Sequence, residues 1–184
     1  MNKILIASDI HGSKEASDKL VSLDYIYNFD RIILLGDINY NGARNPVPLD
    51  YSPKDVTSNL LKLKEKLTII NGNCDSRVDE FVFGFNFLDK IEEDINNHHF
   101  FITHGDLFSS SDFSLKKGDV FLYGHTHVYK LDKEDGHFII NPGSTTFPKE
   151  NKEKTCIIYD LKEDKMSLLN LMNQKIIKVI ELGS

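Results

Sequence analysis

An acid and an imidazole two residues apart, Asp9 and His11, stand directly after the apolar run at residues 3–8. At an extended loop end, a carboxylate and an imidazole at that spacing can bind one metal ion from the same side. Alone the pair is a weak signal. Four later runs end the same way: Gly36-Asp37 after residues 31–35, Gly72-Asn73-Cys74-Asp75 after 67–70, His104-Gly105-Asp106 after 100–102, and Gly124-His125-Thr126-His127 after 120–123. Five strands would thus present metal-type ligands at one edge. Taken singly, Asp9, Asp37 and Asn73 also suit turns or helix caps. Their joint recurrence weighs against that reading, as do four of the seven histidines falling in these motifs. The remaining three, His98, His99 and His137, are assigned to strand or hairpin surfaces.

The elements that must position these residues follow from periodicity. Ser13 is an N-cap for a helix over 14–27, with Ala16, Leu20, Leu23 and Tyr27 at helical spacing. The run 31–35 is nearly all apolar, as expected of a parallel strand covered on both faces. Residues 38–51, rich in Asn, Gly and Pro, read as a loop, and a long loop after such a motif is more often functional than idle. Ser52-Pro53-Lys54-Asp55 opens a second helix, expected to run to Lys66 and to bury Val56 and Leu60 with Leu63 or Leu67. Over 77–97 two readings stand: alternation of Phe81, Phe83, Phe85 and Phe87 favours a strand, whereas Asp79-Glu80 could open a short helix. Beyond it come strands at 98–103 and 119–123, then a hairpin over 128–140 turning through Glu134-Asp135-Gly136. The break Asn141-Pro142-Gly143-Ser144 precedes a meander at 155–161, 166–172 and 176–182. An α/β front half and a β-rich back half point to an α/β fold of two packed sheets with helices outside, ligands at the carboxyl ends of strands.

Composition bounds the function. At 184 residues the chain suits one domain spanning 1–184. A formal charge of −6 argues against a footprint for duplex nucleic acid, and no stable nucleic-acid complex is expected. Two cysteines, Cys74 and Cys156, suggest a reducing compartment. The apolar stretch near the start is far short of a signal peptide or membrane span, so the expected location is cytoplasmic, with no membrane association.

The set Asp9-x-His11, Gly36-Asp37, Gly72-Asn73-x-Asp75, Thr103-His104-Gly105 and Gly124-His125-Thr126-His127 resembles that of the calcineurin-like metallophosphoesterases, over residues 3–147. The length, the loop Asn41-Gly42-Ala43-Arg44-Asn45-Pro46 and Gly72-Asn73-Cys74-Asp75-Ser76 most resemble the small bacterial YfcE-type phosphodiesterases. The resemblance implies a four-layer α/β/β/α sandwich of two mixed sheets flanked by helices. It implies that Asp9, His11 and His127 bind one metal, that Asn73, His104 and His125 bind a second, and that Asp37 bridges them. Nitrogen and oxygen donors without thiolate suit manganese first, with iron, zinc, nickel or magnesium as alternatives, and disfavour calcium. Two divalent ions outweigh Asp9, Asp37 and a bridging hydroxide in charge, so the centre would attract a phosphate on an acidic protein. The implied activity is hydrolysis of a small phosphodiester by a hydroxide held between two metals. A phosphomonoesterase and a non-catalytic module like the retromer scaffold subunit are the alternatives, and a homo-oligomer is left open.

Catalytic expectations rest on Asp37, Asn73, Cys74 and Asp75. Most of the family has a histidine where this chain has Cys74, a residue credited with stabilising the transition state and protonating the leaving group. A neutral thiol is a weak donor and carries no positive charge, so Cys74 is expected more as a space-filling residue than as an acid, and Asp75 as a brace for its loop. Arg44, a cation soon after Asp37, is the expected substrate contact. Asn141-Pro142-Gly143-Ser144 is expected to support the metal loops.

Overall fold

A computed structural model describes residues 2–150 and 152–183; of the single domain expected over 1–184, Met1, Asn151 and Ser184 lie outside the described residues. Strand β1, Lys3–Ala7, shows why the first run is apolar throughout. Leu5 and Ala7 face one apolar cluster and Ile4 and Ile6 the other, all at most 1% exposed. Both faces are covered, so no polar alternation is tolerated, and each buried aliphatic side chain contributes roughly 1.5–3 kcal/mol.

The first sheet runs β11-β10-β9-β1-β2-β3, with β2 at Arg31–Leu34, β3 at Leu67–Ile69, β9 at Thr155–Asp160, β10 at Lys165–Asn170 and β11 at Ile176–Glu181. Strands β1, β2 and β3 are parallel, and β9, β10 and β11 continue antiparallel as the expected meander. The second sheet runs β4-β5-β6-β8-β7, built from Lys90–Ile95, His98–Thr103, Val120–Leu122, His137–Asn141 and Lys130–Glu134. Within it β5, β6 and β8 are parallel, so both sheets are mixed. Ile4, Ile6, Ile33 and Leu35 of the first sheet meet Phe100, Ile102, Val120, Leu122, Phe138 and Ile140 of the second in one core.

Helices flank this sandwich. Helix α1, Lys14–Tyr27, is capped by Ser13, whose hydroxyl accepts the Ala16 N–H, and buries Ala16, Leu20 and Leu23. Helix α2, Pro53–Leu61, starts where expected but stops five residues short of Lys66. The chain tightens there into a 3₁₀ turn, Lys64–Lys66, that feeds β3 directly, and Val56, Leu60 and Leu63 are buried. Helix α3, Arg77–Phe83, opens with a reciprocal cap between Ser76 and Asp79 and ends at Gly84 in the left-handed region. The strand reading of Phe81 to Phe87 is thereby overturned: Phe81 is 85% exposed, while Phe83, Phe85 and Phe87 pack as a ring cluster. The outer face of the second sheet is covered more thinly. There Phe101, Phe121 and Ile139 lie under Phe113 and Leu115, in a loop whose one regular element is a 3₁₀ turn, Ser110–Asp112.

Candidate metal centre

The carboxyl ends of β1, β2, β3, β5 and β6 converge, and all seven candidate ligands lie in the loops that leave them. Five of the seven, Asp9, His11, Asp37, His125 and His127, have φ between 48° and 62°. Non-glycine residues in the left-handed region cost roughly 1–2 kcal/mol each, and such strain gathers where side chains must be aimed. The loops are held against it by neighbours. Asp75 spends its carboxylate on three backbone donors: Oδ2 accepts from Asp37 N at 2.7 Å and Gly72 N at 2.9 Å, and Oδ1 from Ile38 N at 2.8 Å. It therefore stitches the loop after β2 to the loop after β3. A Cβ at Gly72 would collide with the Asp37 carboxylate, which is why that close approach needs glycine. Burial, aided by the charge of Asp37, pushes the Asp75 carboxyl up to about 7 against these donors.

Ser144, Thr145 and Thr146 fasten the first loop. Ser144 Oγ donates to the Asp9 carbonyl at 2.9 Å, Thr146 Oγ1 to that of Ile10 at 2.7 Å, and Thr145 Oγ1 reaches those of Ser8 and Asp9. Asn141 Nδ2 donates to the Gly124 carbonyl at 2.8 Å, bracing the turn that carries His125 and His127. The supporting role expected of the Asn-Pro-Gly-Ser break agrees with these contacts; the two threonines after it were not singled out in the sequence. Their signal is the polar run that follows a proline turn.

Donor directions fix what the centre can hold. His11 Nδ1 donates to the Tyr40 carbonyl at 2.9 Å and His127 Nδ1 to the Phe147 carbonyl at 2.8 Å. A carbonyl only accepts, so each neutral ring keeps its lone pair on Nε2. Those two nitrogens face each other at 3.2 Å, and Asp9 Oδ1 stands 3.3 Å from one and 3.8 Å from the other. Neither carboxylate oxygen of Asp9, a fully buried residue, has a hydrogen-bond partner. A buried charge and two lone pairs meeting without a donor are costly; a cation between them removes the conflict.

The second cluster repeats the pattern. His104 Nδ1 donates to the Leu35 carbonyl at 2.5 Å, and its Nε2 faces Asn73 Oδ1 at 3.3 Å, His125 Nδ1 at 3.2 Å and Asp37 Oδ1 at 3.6 Å. The Asp37 carboxylate lies between the clusters, with Oδ2 3.6 Å from His11 Nε2. The Cys74 N–H holds its Oδ1 at 2.8 Å. Burial disfavours a charged His104 ring, yet Asp9 and Asp37 outweigh it and hold His104 above its ordinary value. His11 and His125 are held below theirs chiefly by burial. Burial also raises Asp9, but His127 and His104 bring it below the usual carboxylate range. The surroundings call for positive charge. The ligand atoms of Asp9, His11 and His127, and likewise those of Asp9, Asp37 and His104, lie within 4.8 Å of one another. That donor set fits divalent ions.

A cleft of about 400 Å³ opens over this centre, lined by Asp37, Asn73, Cys74, His125 and His127 together with Tyr40, Arg44 and Lys149. Arg44, the residue expected to contact substrate, thus lines the cleft over the centre. Lys149 is an addition that the sequence did not reveal, because it lies 22 residues past the last ligand motif. Cys74 is half-buried; burial first, and then the charge of Asp37, pushes its thiol up to about 12, so it stays neutral near pH 7. Asn73 Nδ2 donates to its sulfur at 3.2 Å, and Gly42 packs close against it. His98 departs from its expected surface place: it is 8% exposed, and both its ring nitrogens are bonded. No helix among the described residues is long and apolar enough to cross a membrane.

Residues 2–164 match the calcineurin-like phosphoesterase superfamily domain. The phosphodiesterase YfcE of Escherichia coli is 32% identical over the full length of both chains. Its solved structure superposes with a TM-score of 0.93, covering 98% of this chain and 99% of that one. A phosphodiesterase of Methanocaldococcus jannaschii is 30% identical over 77% of this chain and 82% of its own. The vacuolar protein sorting 29 structure from Cryptosporidium parvum, 18% identical with a TM-score of 0.65 over 97% of this chain and 95% of its own, shares the fold.

Proposed function

Since the chain belongs to the calcineurin-like phosphoesterase superfamily, we propose that it is a metal-dependent phosphodiesterase acting on a small phosphodiester. The observation that carries this reading is the meeting of carboxylates and imidazole lone pairs with no donor between them, capped by the unpartnered Asp9 carboxylate. Asp9, His11 and His127 are proposed to hold one divalent ion, Asn73, His104 and His125 another, and Asp37 to serve both. Bound there, such ions supply Lewis acidity and an activated water for in-line attack on phosphorus. Manganese is proposed first, because nitrogen and oxygen donors surround the site and the one nearby thiol is held neutral.

The chain's own groups do the rest. The Asp75 carboxylate and the Cys74 N–H fix Asp37 in place, so its two oxygens stay directed to the two clusters. Arg44, on the cleft rim, is proposed to contact the substrate phosphate or its second ester group. Cys74 offers neither positive charge nor a strong donor, so leaving groups must depart with little proton assistance. A non-catalytic module would not need this unsatisfied ligand set. One domain over 1–184 is proposed because the two sheets share one core. A cytoplasmic location is proposed from two free thiols.

Turnover of bis(p-nitrophenyl) phosphate and of p-nitrophenyl phosphate, across manganese, iron, zinc, nickel and magnesium, tests the reading. Faster diester hydrolysis that needs the ion is expected. No turnover of either ester with any ion would sink the enzyme reading, and a faster monoester would replace it with a phosphomonoesterase.

A further inference from the structure

Two cations on the cleft rim have nothing to neutralise. Arg44 and Lys149 both line the cleft, and among the described residues neither side chain makes a hydrogen bond or ion pair. Other lysines of the chain do meet carboxylates: Lys66 meets Asp24 at 2.9 Å, Lys154 meets Glu15 at 2.9 Å, and Lys178 meets Asp132 at 2.8 Å. The acid next in sequence, Glu150, turns to Lys152 at 3.4 Å. Asp37 is the one acid lining the cleft, and it faces inward to the histidines.

Lys149 is also tethered. Its N–H donates to the His127 carbonyl at 3.1 Å, while two residues earlier the Phe147 carbonyl accepts from His127 Nδ1. The segment thus grips His127 by backbone and ring together, and the base of the Lys149 side chain is fixed to a candidate metal ligand. Arg44 approaches from a different loop, whose Gly42 packs on Cys74. A phosphodiester carries one negative charge, which a divalent centre and one arginine already answer. The second free cation is in excess for such a group.

We propose that Lys149 is a specificity-determining residue that binds a second anionic group, a phosphate or carboxylate, on the non-leaving arm of the substrate. This rests on the phosphodiesterase reading of the same site and narrows its substrate class to diesters with a charged arm. A charge-assisted contact of this kind corresponds to about a tenfold or larger preference.

The test uses two diesters with the same p-nitrophenol leaving group, propyl p-nitrophenyl phosphate and its 3-phosphopropyl counterpart, at low ionic strength and saturating manganese. The wild type should prefer the charged arm by about tenfold in kcat/KM. Lys149→Ala should lose that ratio and Lys149→Arg should keep it. A readout without turnover is calorimetric binding of 1,3-propanediol bisphosphate against propyl phosphate, with the bisphosphate preferred by the wild type and not by Lys149→Ala. Turnover of both diesters with no arm preference, or a preference that survives Lys149→Ala, overturns the inference and leaves the phosphodiesterase reading standing. No turnover of either at full metal content defeats that reading, and the inference with it.

Discussion

The two ends of the sandwich each bury histidine against aspartate and treat them in opposite ways. At the amino end of β5, His98 Nδ1 points to the Gly118 carbonyl at 2.8 Å and Nε2 to Asp164 Oδ2 at 2.9 Å. Asp164 also accepts from Tyr159 Oη at 2.6 Å and Asn96 Nδ2 at 3.0 Å. Every polar group there finds its partner in the protein, and the network ties the β4–β5 turn of one sheet to the β9–β10 turn of the other. At the carboxyl ends, lone pairs meet lone pairs and the Asp9 carboxylate has no hydrogen-bond partner. Histidine and aspartate alone therefore do not make a metal site. What distinguishes the two ends is the supply of donors: Asp164 accepts from Tyr159 Oη and Asn96 Nδ2, whereas at the carboxyl ends ring nitrogens face one another and neither Asp9 oxygen accepts from any donor.

The strongest way to break this contrast is at Asp37. Asp37→Ala removes the one carboxylate directed to both clusters, and turnover should fall by more than about 10³-fold with loss of both ions, since even supporting residues cost 10–100-fold in metal sites. Elemental analysis showing two tightly held ions in an active variant would refute the bridging role.

Next is Cys74→His, which adds a charged donor beside the centre. It should raise kcat/KM by up to ~10²-fold on esters of poor leaving groups and little on nitrophenyl esters. The readout is a plot of log kcat/KM against leaving-group pKa at equal metal content; a steep wild-type line should flatten, and parallel lines would remove position 74 from proton transfer. Asp75 is already engaged by three N–H groups, so the new imidazole would have to be held by something else.

Arg44→Ala should weaken kcat/KM by about 1.5–3 kcal/mol, roughly ten- to hundredfold, without loss of metal. Unchanged kinetics would return Arg44 to the solvated surface.

The opposite end should respond in stability alone. His98→Ala should leave activity and metal content intact and lower stability by about 1–3 kcal/mol, read as some 2–4 °C of Tm per kcal/mol. Asp164 adds a pH signature. Burial raises its carboxyl, but Tyr159, His98 and Asn96 outweigh this and hold it below its ordinary value. Its contribution is therefore present above the unfolded-state value of about 3.9 and is lost as pH falls through the lower folded value. In Asp164→Asn this part of the acid destabilisation should be missing; identical acid profiles would show that the network does not couple to the carboxylate.

Much of this was legible in the chain because each ligand follows a short apolar run by one to four residues, so strand pattern and chemistry reinforce each other. The seven ligand candidates and the cleft position of Arg44 needed no long-range information. Residues 77–97 were not legible, because the same phenylalanine spacing serves a helix that exposes Phe81 and a loop that packs Phe85 at a tilt against Phe87. His98 was misread because its partners, Gly118 and Asp164, are 20 and 66 residues away. Lys149 and the threonines after Ser144 enter the site through contacts back across the fold, which no local spacing encodes.

The most direct test of the contrast is calorimetric titration of metal-stripped chain with manganese, paired with elemental analysis and Tm. Two ions per chain are predicted. Tm should rise with ion concentration, by an amount equivalent to about 2.7 kcal/mol at a hundred times Kd, and His98→Ala should titrate like the wild type. A stoichiometry below one for manganese, iron, zinc, nickel and magnesium alike, with Tm unmoved, would contradict the account.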